Sequence, residues 1–459
     1  MLFIAKFAFQ KLQMQFKKEF KKTMKFLRYI NKVYHFHEIV KKQKDLRKRR
    51  NHETATIFTI VFWAEVLRVR SFNKLEKMLQ YGVFNPLFER KTKIPSIDAI
   101  SETMTKWDIG ALKECFKSVI EILFENNTFE EGTIDGYTVC AFDGTNVHTS
   151  SKKKCEDCAT MKVGKKYYYG HKSIVAMTIG KEINYVLNQV NLEVKSERCE
   201  INKKTYEENV ITKSEGELTG AKTLIKELPK WVDIIVGDSL YFTAPFFKEV
   251  LESGKQAVVR LEDKTRKVYK ELMEHVQKDT CDGEWEKEEE NTHVSYWYID
   301  TEIEDSNLKK GEAGKYTQIR VYKYIEVIER KIKGKVNYEF KEIIIGTTDK
   351  SINEKTILKI IHKRWYIENT CFNQLKSYCN LEHCYRHDPT AIEAILMIMY
   401  MVYNLVQAFL FRRLKNFKVE FNKNKETISW QIEKMLYHLV IINFLMKFKL
   451  VEPGFIYNL

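Results

Sequence analysis

The stretch "VDIIVGDSLYFTAPFFKEVLESGKQAVVRLE", residues 232–262, decides the fold class. Ile234 to Gly237 form a run that is apolar at every position, and a strand apolar on both faces belongs inside a sheet covered by helices. A helix follows, opening at Thr243, and "QAVVRLE" is a second strand. Upstream, "YTVCAFDGT" (137–145), "KYYYGHKSIVAMTIG" (166–180) and "INYVLNQVNLE" (183–193) read as three strands of a meander, with Gly180 at a turn. "EGELTGAKTLIKELPK" (215–230) has helical spacing. The order strand, strand, strand, helix, strand, helix, strand describes an α/β unit with a mixed sheet.

Working outward, residues 53–130 read as a small helical domain, with Ser71 and Ser96 as N-caps and Gly82 as a stop. Residues 263–339 alternate charge runs such as "DGEWEKEEEN" with aromatic β-type stretches, "VSYWYID" and "TQIRVYKYIEVI", after an opening helix "KVYKELMEHV". This predicts a β-rich insertion. The core resumes at 340–400, with the strand "EFKEIIIGTTD" and a helix capped by Ser351, and C-terminal helices occupy 401–459. With only 6 Pro and 18 Gly in 459 residues, the chain is expected to be ordered throughout.

The formal net charge is +15, and the first fifty residues alone hold 16 Lys and Arg against 3 Asp and Glu, a difference of +13. Residues 1–52 are therefore a basic arm, which points to a nucleic acid partner. Phe7, Phe16, Phe20, Phe26 and Leu27 recur at near-helical spacing, so a membrane-surface helix is the rival reading. The run "AILMIMYMVYNLVQAFLF" (394–411) is long enough to span a bilayer, but Asn404 and Gln407 interrupt it and Arg412 and Arg413 end it. A buried helix of a protein without a membrane partner, acting in the cytoplasm, is the expectation.

Nine cysteines at irregular spacing argue for reduced thiols. Cys155 and Cys158 in "KKKCEDCAT" have the gap of a zinc knuckle, and His148, His171 or a distant cysteine would have to complete a site. Without a second pair they are expected to be plain loop thiols. The cluster Cys379, His383, Cys384 and His387 is a weaker signal still.

Three acids are candidates for the chemistry, although an Asp after a strand is more often a turn former and Glu368 alone reads as an ion-pair partner of Arg364. Asp143 is expected to terminate the strand "VCAFD", Asp238 to terminate "DIIVGD", and Glu368 lies on the helix "KIIHKRWYIENTCFNQLK" (359–376). On that helix Ile360, Ile361, Trp365, Ile367, Cys371, Phe372 and Leu375 mark the core face, and Arg364 lies one turn before Glu368, at ordinary ion-pair spacing. Gathered together, the carboxylates would make an oxygen-rich cradle for Mg²⁺, with Mn²⁺ the alternative.

The segments "FDGTNVH", "VGDSLYFTAPFFKEVLESGKQAVVRLED", "HKRWYIENTCFNQLK" and "LEHCYRHDPTAIEAILMIMYMVYNLVQAF" resemble the insertion-sequence transposases of the DDE superfamily, in the IS-four-like group. The resemblance covers about residues 90 to 415. It implies a ribonuclease-H-like mixed sheet with flanking helices, preceded by the helical N-terminal domain and interrupted by the β-rich insertion, the catalytic core being split between 131–262 and 340–400. It further implies that Asp143, Asp238 and Glu368 are the catalytic, metal-binding acids. The family's late-helix signature runs Tyr, two residues, Arg, three residues, Glu, six residues, Lys. Arg364 and Glu368 fit it, Ile361 stands in the Tyr place, and Lys376 lies one residue beyond the Lys place. Arg364, Lys376 and an insertion tryptophan, Trp297 or Trp285, are implied to contact DNA. The partners implied are double-stranded DNA, both element ends and target, and a second copy in the synaptic complex. A DNA-binding protein without catalysis, descended from a transposase, is the alternative.

Overall fold

A computed structural model describes residues 25–413, apart from 90, 130–132, 153, 156, 165, 181–183, 202–207, 215, 279, 288–289, 313 and 333–334. Residues 25–34 are helical and lead into α1 (Phe36–Lys41), α2 (Thr54–Val66), α3 (Phe72–Gln80), α4 (Ile97–Met104) and α5 (Ile109–Glu125). Ser71 and Ser96 accept backbone N–H bonds from Lys74 and Ala99 as N-caps. Gly82, at φ +68°, ends α3 in the left-handed conformation that glycine adopts without strain. Phe26 packs edge-on against Trp63 of α2 and Phe409, and Ile30 and Tyr34 are buried beside it. The apolar face of this described part of the basic arm thus belongs to the protein core. Residues 1–24, with the other expected aromatic positions, lie outside the described residues, as do 414–459.

Twelve strands follow among the described residues. They are β1 (Val139–Ser150), β2 (Ala159–Val163), β3 (Lys166–Ile179), β4 (Val186–Asn191), β5 (Val194–Ile201), β6 (Glu208–Ser214), β7 (Ile234–Gly237), β8 (Gln256–Arg260), β9 (Gly283–Lys287), β10 (Thr292–Glu304), β11 (Tyr316–Ile332) and β12 (Lys335–Thr347). The interleaved helices are α6 (Glu217–Glu227), α7 (Ala244–Glu252), α8 (Lys267–Lys278), α9 (Glu354–Arg364) and α10 (Pro389–Arg413).

Ten strands form one sheet. Its order runs β2-β3-β1-β7-β8-β12-β11-β10-β9, with β4 also paired to β3, while β5 and β6 form a separate hairpin. Within it β4-β3-β1-β7-β8 is a ribonuclease-H-like mixed sheet, antiparallel among its first three strands and parallel from β1 through β7 to β8. Residues 234–237 are fully buried in its centre, as their apolar run requires. The β-rich segment joins the same sheet, because β12 pairs antiparallel with β8 and carries β11, β10 and β9 outward.

The helix that opens after β12 is capped by Asn353, whose side chain accepts the Lys355 N–H, rather than by Ser351. Ser351 is engaged instead with Asp349, to which both its N–H and its hydroxyl donate.

Helix α10 is long and apolar enough to cross a membrane, yet nearly all of that stretch is buried against α2, α4, α5 and β4. Asn404 explains its own place in the run. Its Oδ1 accepts from the Val186 N–H at 2.9 Å and its Nδ2 donates to the Val186 carbonyl at 2.7 Å, satisfying the backbone of β4 inside the core. Asn404→Leu would leave both backbone groups unpaired and is expected to cost about 2–4 kcal/mol, read from the urea midpoint at unchanged m-value.

Candidate active site

Register brings the two aspartates together. Val139, Cys140 and Ala141 of β1 pair in parallel with Ile234, Ile235 and Val236 of β7. Side chains alternate along a strand, so Asp143, two residues beyond Ala141, and Asp238, two beyond Val236, leave the same face of neighbouring strands. Asp238 keeps an extended backbone and accepts the Leu240 N–H at 2.9 Å, which turns the chain into a short 3₁₀ helix.

Asp143 does not terminate its strand, contrary to expectation. β1 continues to Ser150 because β3 is long enough to pair with it throughout, Asp143 opposite Val175. Asp143 instead marks where β7 turns away and the β1 edge opens.

Glu368 arrives from the other half of the core. Helix α9 ends at Arg364, and after a turn at Trp365 the chain continues in two wide π-helical turns, Ile367–Phe372 and Leu375–Cys379. Such turns are rare and cluster at functional sites. Buried Ile367, Cys371 and Phe372 hold the first turn against the core, and it contacts β1. Helix α9 is itself anchored twice. Asp135, just before β1, accepts from Thr356 at 2.8 Å and from Lys359 at 2.8 and 3.0 Å, and Glu326 of β11 lies 3.1 Å from His362. Trp365 does not join the core face. It is 43% exposed, with the Arg364 guanidinium over its ring, because the break at the end of α9 shifts the period.

Arg364 is buried and donates to Glu368 Oε1 at 3.2 Å. Its charge also acts on both aspartates, holding their pKa values down. That pull is insufficient. Burial first, then the nearby Glu368 charge, pushes the Asp143 carboxyl up to about 7, and burial raises Asp238 as well. Three acids that repel one another around one buried arginine suit a divalent cation, whose charge would relieve the repulsion and whose preference is for carboxylate oxygens. Carboxylate oxygens of this kind are the donors that Mg²⁺ and Mn²⁺ prefer.

Residues 202–405 match the family described as the transposase DDE domain. Over this span the chain carries a transposase DDE domain. The matched span includes Asp238 and Glu368 and starts downstream of Asp143. Among curated proteins nothing matches the chain.

Sequence reasoning missed Glu217. Its carboxylate, on the first turn of α6, pairs with Lys172, accepts from the Tyr241 hydroxyl at 3.3 Å and adds to the negative potential at Asp238. It also fills the space beside Gly144, where a Cβ would lie 2.7 Å from it. The only signal for it is the glycine after Asp143, which becomes meaningful once α6 is known to cross there.

The remaining expected residues sit apart. Lys376 is half-exposed and pairs with Glu382 at 3.0 Å. Lys376 lies in the second π turn. Trp285 packs on Tyr296 and Tyr324, on the face of the sheet that meets the start of α9. Trp297, opposite Lys323 in the register, lies on the other face, toward α8.

Proposed function

We propose that this protein is a transposase that binds the terminal inverted repeats of an insertion sequence, cleaves the DNA there and joins the 3′ hydroxyl ends to target DNA, with Asp143, Asp238 and Glu368 as its catalytic acids. The observation that carries the reading is the convergence of three carboxylates and a buried arginine where β7 leaves β1. A bound Mg²⁺ or Mn²⁺ would supply charge to the attacking and leaving oxygens of an in-line phosphoryl transfer. Arg364 presents its guanidinium to the same place and would balance the scissile phosphate. Glu217, held by Lys172 and Tyr241, keeps the acidic wall in position beside Asp143.

Duplex DNA would be held by charge. Lys41, Lys42, Lys44, Lys48, Arg49 and Arg50 are exposed on one segment, near α5. Arg50 and Arg47 are oriented by buried Asp45. Such contacts give sequence-independent affinity that falls with salt. Lys376 and Trp297 are further DNA contacts in this reading, and synapsis of two ends calls for a homodimer.

The test is a nicking and joining assay on DNA that carries the element's ends, with Mg²⁺ and with Mn²⁺. Cleavage by the parent, abolished in Asp238→Ala and Glu368→Ala while both still shift the DNA, supports the proposal. A parent that binds the ends and cuts under neither metal would replace it with the non-catalytic alternative. In the same assay Gly144→Ala should lower cleavage on the order of ten- to a hundredfold by displacing Glu217. Its unfolding free energy should stay within about 0.5 kcal/mol of the parent, since only the end of a flexible side chain has to move.

A further inference from the structure

We infer that Cys155, Cys158, His171 and His387 form a closed, tetrahedral zinc site, separate from the carboxylate cluster. The ligand-type atoms of these four residues all lie within 4.8 Å of one another. Cys155 Sγ is 3.6 Å from Cys158 Sγ and 3.2 Å from His171 Nε2. Cys158 Sγ is 3.5 Å from His171 Nε2 and 2.8 Å from His387 Nε2.

Three of those four edges lie within about 0.4 Å of what zinc requires, and the Cys158–His387 edge is the short one, to be opened by the ion. With Zn–S near about 2.3 Å and Zn–N near about 2.05 Å, a tetrahedron puts the two sulfurs about 3.8 Å apart and each sulfur about 3.6 Å from each nitrogen. A disulfide between the cysteines is a different arrangement, with sulfurs about 2.04 Å apart. The Cys155 N–H points at Cys158 Sγ, 3.4 Å away, and so favours a thiolate there.

Donor chemistry selects the ion. Two thiolates and two imidazoles are the soft, four-ligand set of structural zinc, whereas Mg²⁺ takes oxygens and keeps waters. Four protein ligands fill a tetrahedron and leave no open position for a substrate, and Cys158 and His171 among them are almost fully buried. Binding would release the two thiol protons to solvent, giving a site with no net charge.

Its place in the fold gives it a task. Cys155 and Cys158 lie in the loop after β1, His171 lies on β3 opposite Val147 of β1, and His387 lies just before α10. The ion would fasten the hairpin that carries Asp143 to the segment leading from the Glu368 turn into α10. Two halves of the core that are remote in sequence would then be tied by one metal. The two-cysteine spacing suggested plain loop thiols because the fourth ligand is more than two hundred residues away.

The full chain, purified without a metal-chelating tag and under reducing conditions, tests this by elemental analysis. About one zinc per chain is expected, retained through dialysis against excess Mg²⁺, kept in Asp143→Asn and lost in Cys158→Ser and in His387→Ala. Cobalt exchanged into the parent should give tetrahedral d–d bands and a thiolate charge-transfer band, a readout that does not depend on any variant folding. A parent that binds neither zinc nor cobalt, or whose zinc survives both substitutions, overturns the inference, and so does a parent holding only a Cys155–Cys158 disulfide.

Discussion

Asp143→Asn is expected to abolish strand cleavage and at the same time to make the metal-free protein more stable. The activity loss follows from removing one of the acids that would hold the cation. Charge stabilisation of several kcal/mol, at about 1.36 kcal/mol per decade, corresponds to a fall of roughly a thousandfold or more. The stability gain follows from the repulsion. An acid whose pKa rises from 3.8 unfolded to about 7 folded binds its proton more tightly in the folded state. Its contribution is fully present below about pH 4 and is lost as pH rises through about 7, a difference of up to about 4 kcal/mol. Asparagine carries no such charge, so at pH 8 the variant should exceed the parent by up to about 4 kcal/mol, and at pH 4 the two should converge. Melting both proteins in chelator across that range checks the sign. Adding Mg²⁺ at pH 8 should raise the melting temperature of the parent much more than that of the variant. A variant that cleaves normally, or that is less stable at pH 8, would remove Asp143 from the metal cradle.

The parts of this site that could be read from sequence are those fixed locally. The apolar run at 234–237 dictated a central strand, and Asp238 follows it wherever the strand goes. Ser71, Ser96 and Gly82 act within a few residues of themselves, the serines through their hydroxyls and the glycine through its lack of a side chain. What could not be read depends on partners distant in the chain. The length of β1 beyond Asp143 is set by β3, and nothing in "VCAFDGT" encodes it. Trp365 and the π turns depend on the packing that interrupts α9, so a strict 3.6-residue period assigns Trp365 to the wrong face. Glu217 and His387 reach their places only through the crossing of α6 and the start of α10, and sequence spacing links neither to its partners in the site.

The second large effect lies far from the carboxylates, at Glu65. Helix α2 is apolar on nearly every side, and Glu65 is its one acid, 5% exposed beside a cavity of about 40 Å³ lined by Arg68, Gln374, Cys379, Tyr403 and Gln407. Burial pushes its carboxyl up from 4.5 to about 8. Cys379 and Tyr385, which share its surroundings, are themselves pushed up by burial and stay neutral over the range in question. The raised value means that the folded state keeps a proton that the unfolded state has lost. Stability from this group is complete below about pH 4.5 and declines as pH rises through about 8, amounting to about 3 kcal/mol at pH 7. Glu65→Gln keeps the shape and the hydrogen-bonding amide without the charge, so it should recover most of that at pH 7 and nothing at pH 4. Urea unfolding at both pH values decides the matter. A variant that is destabilised at pH 7 would mean that the ionised carboxylate is held by a cation in the folded protein, and the buried acid would then be a support for the helical layer rather than a burden on it.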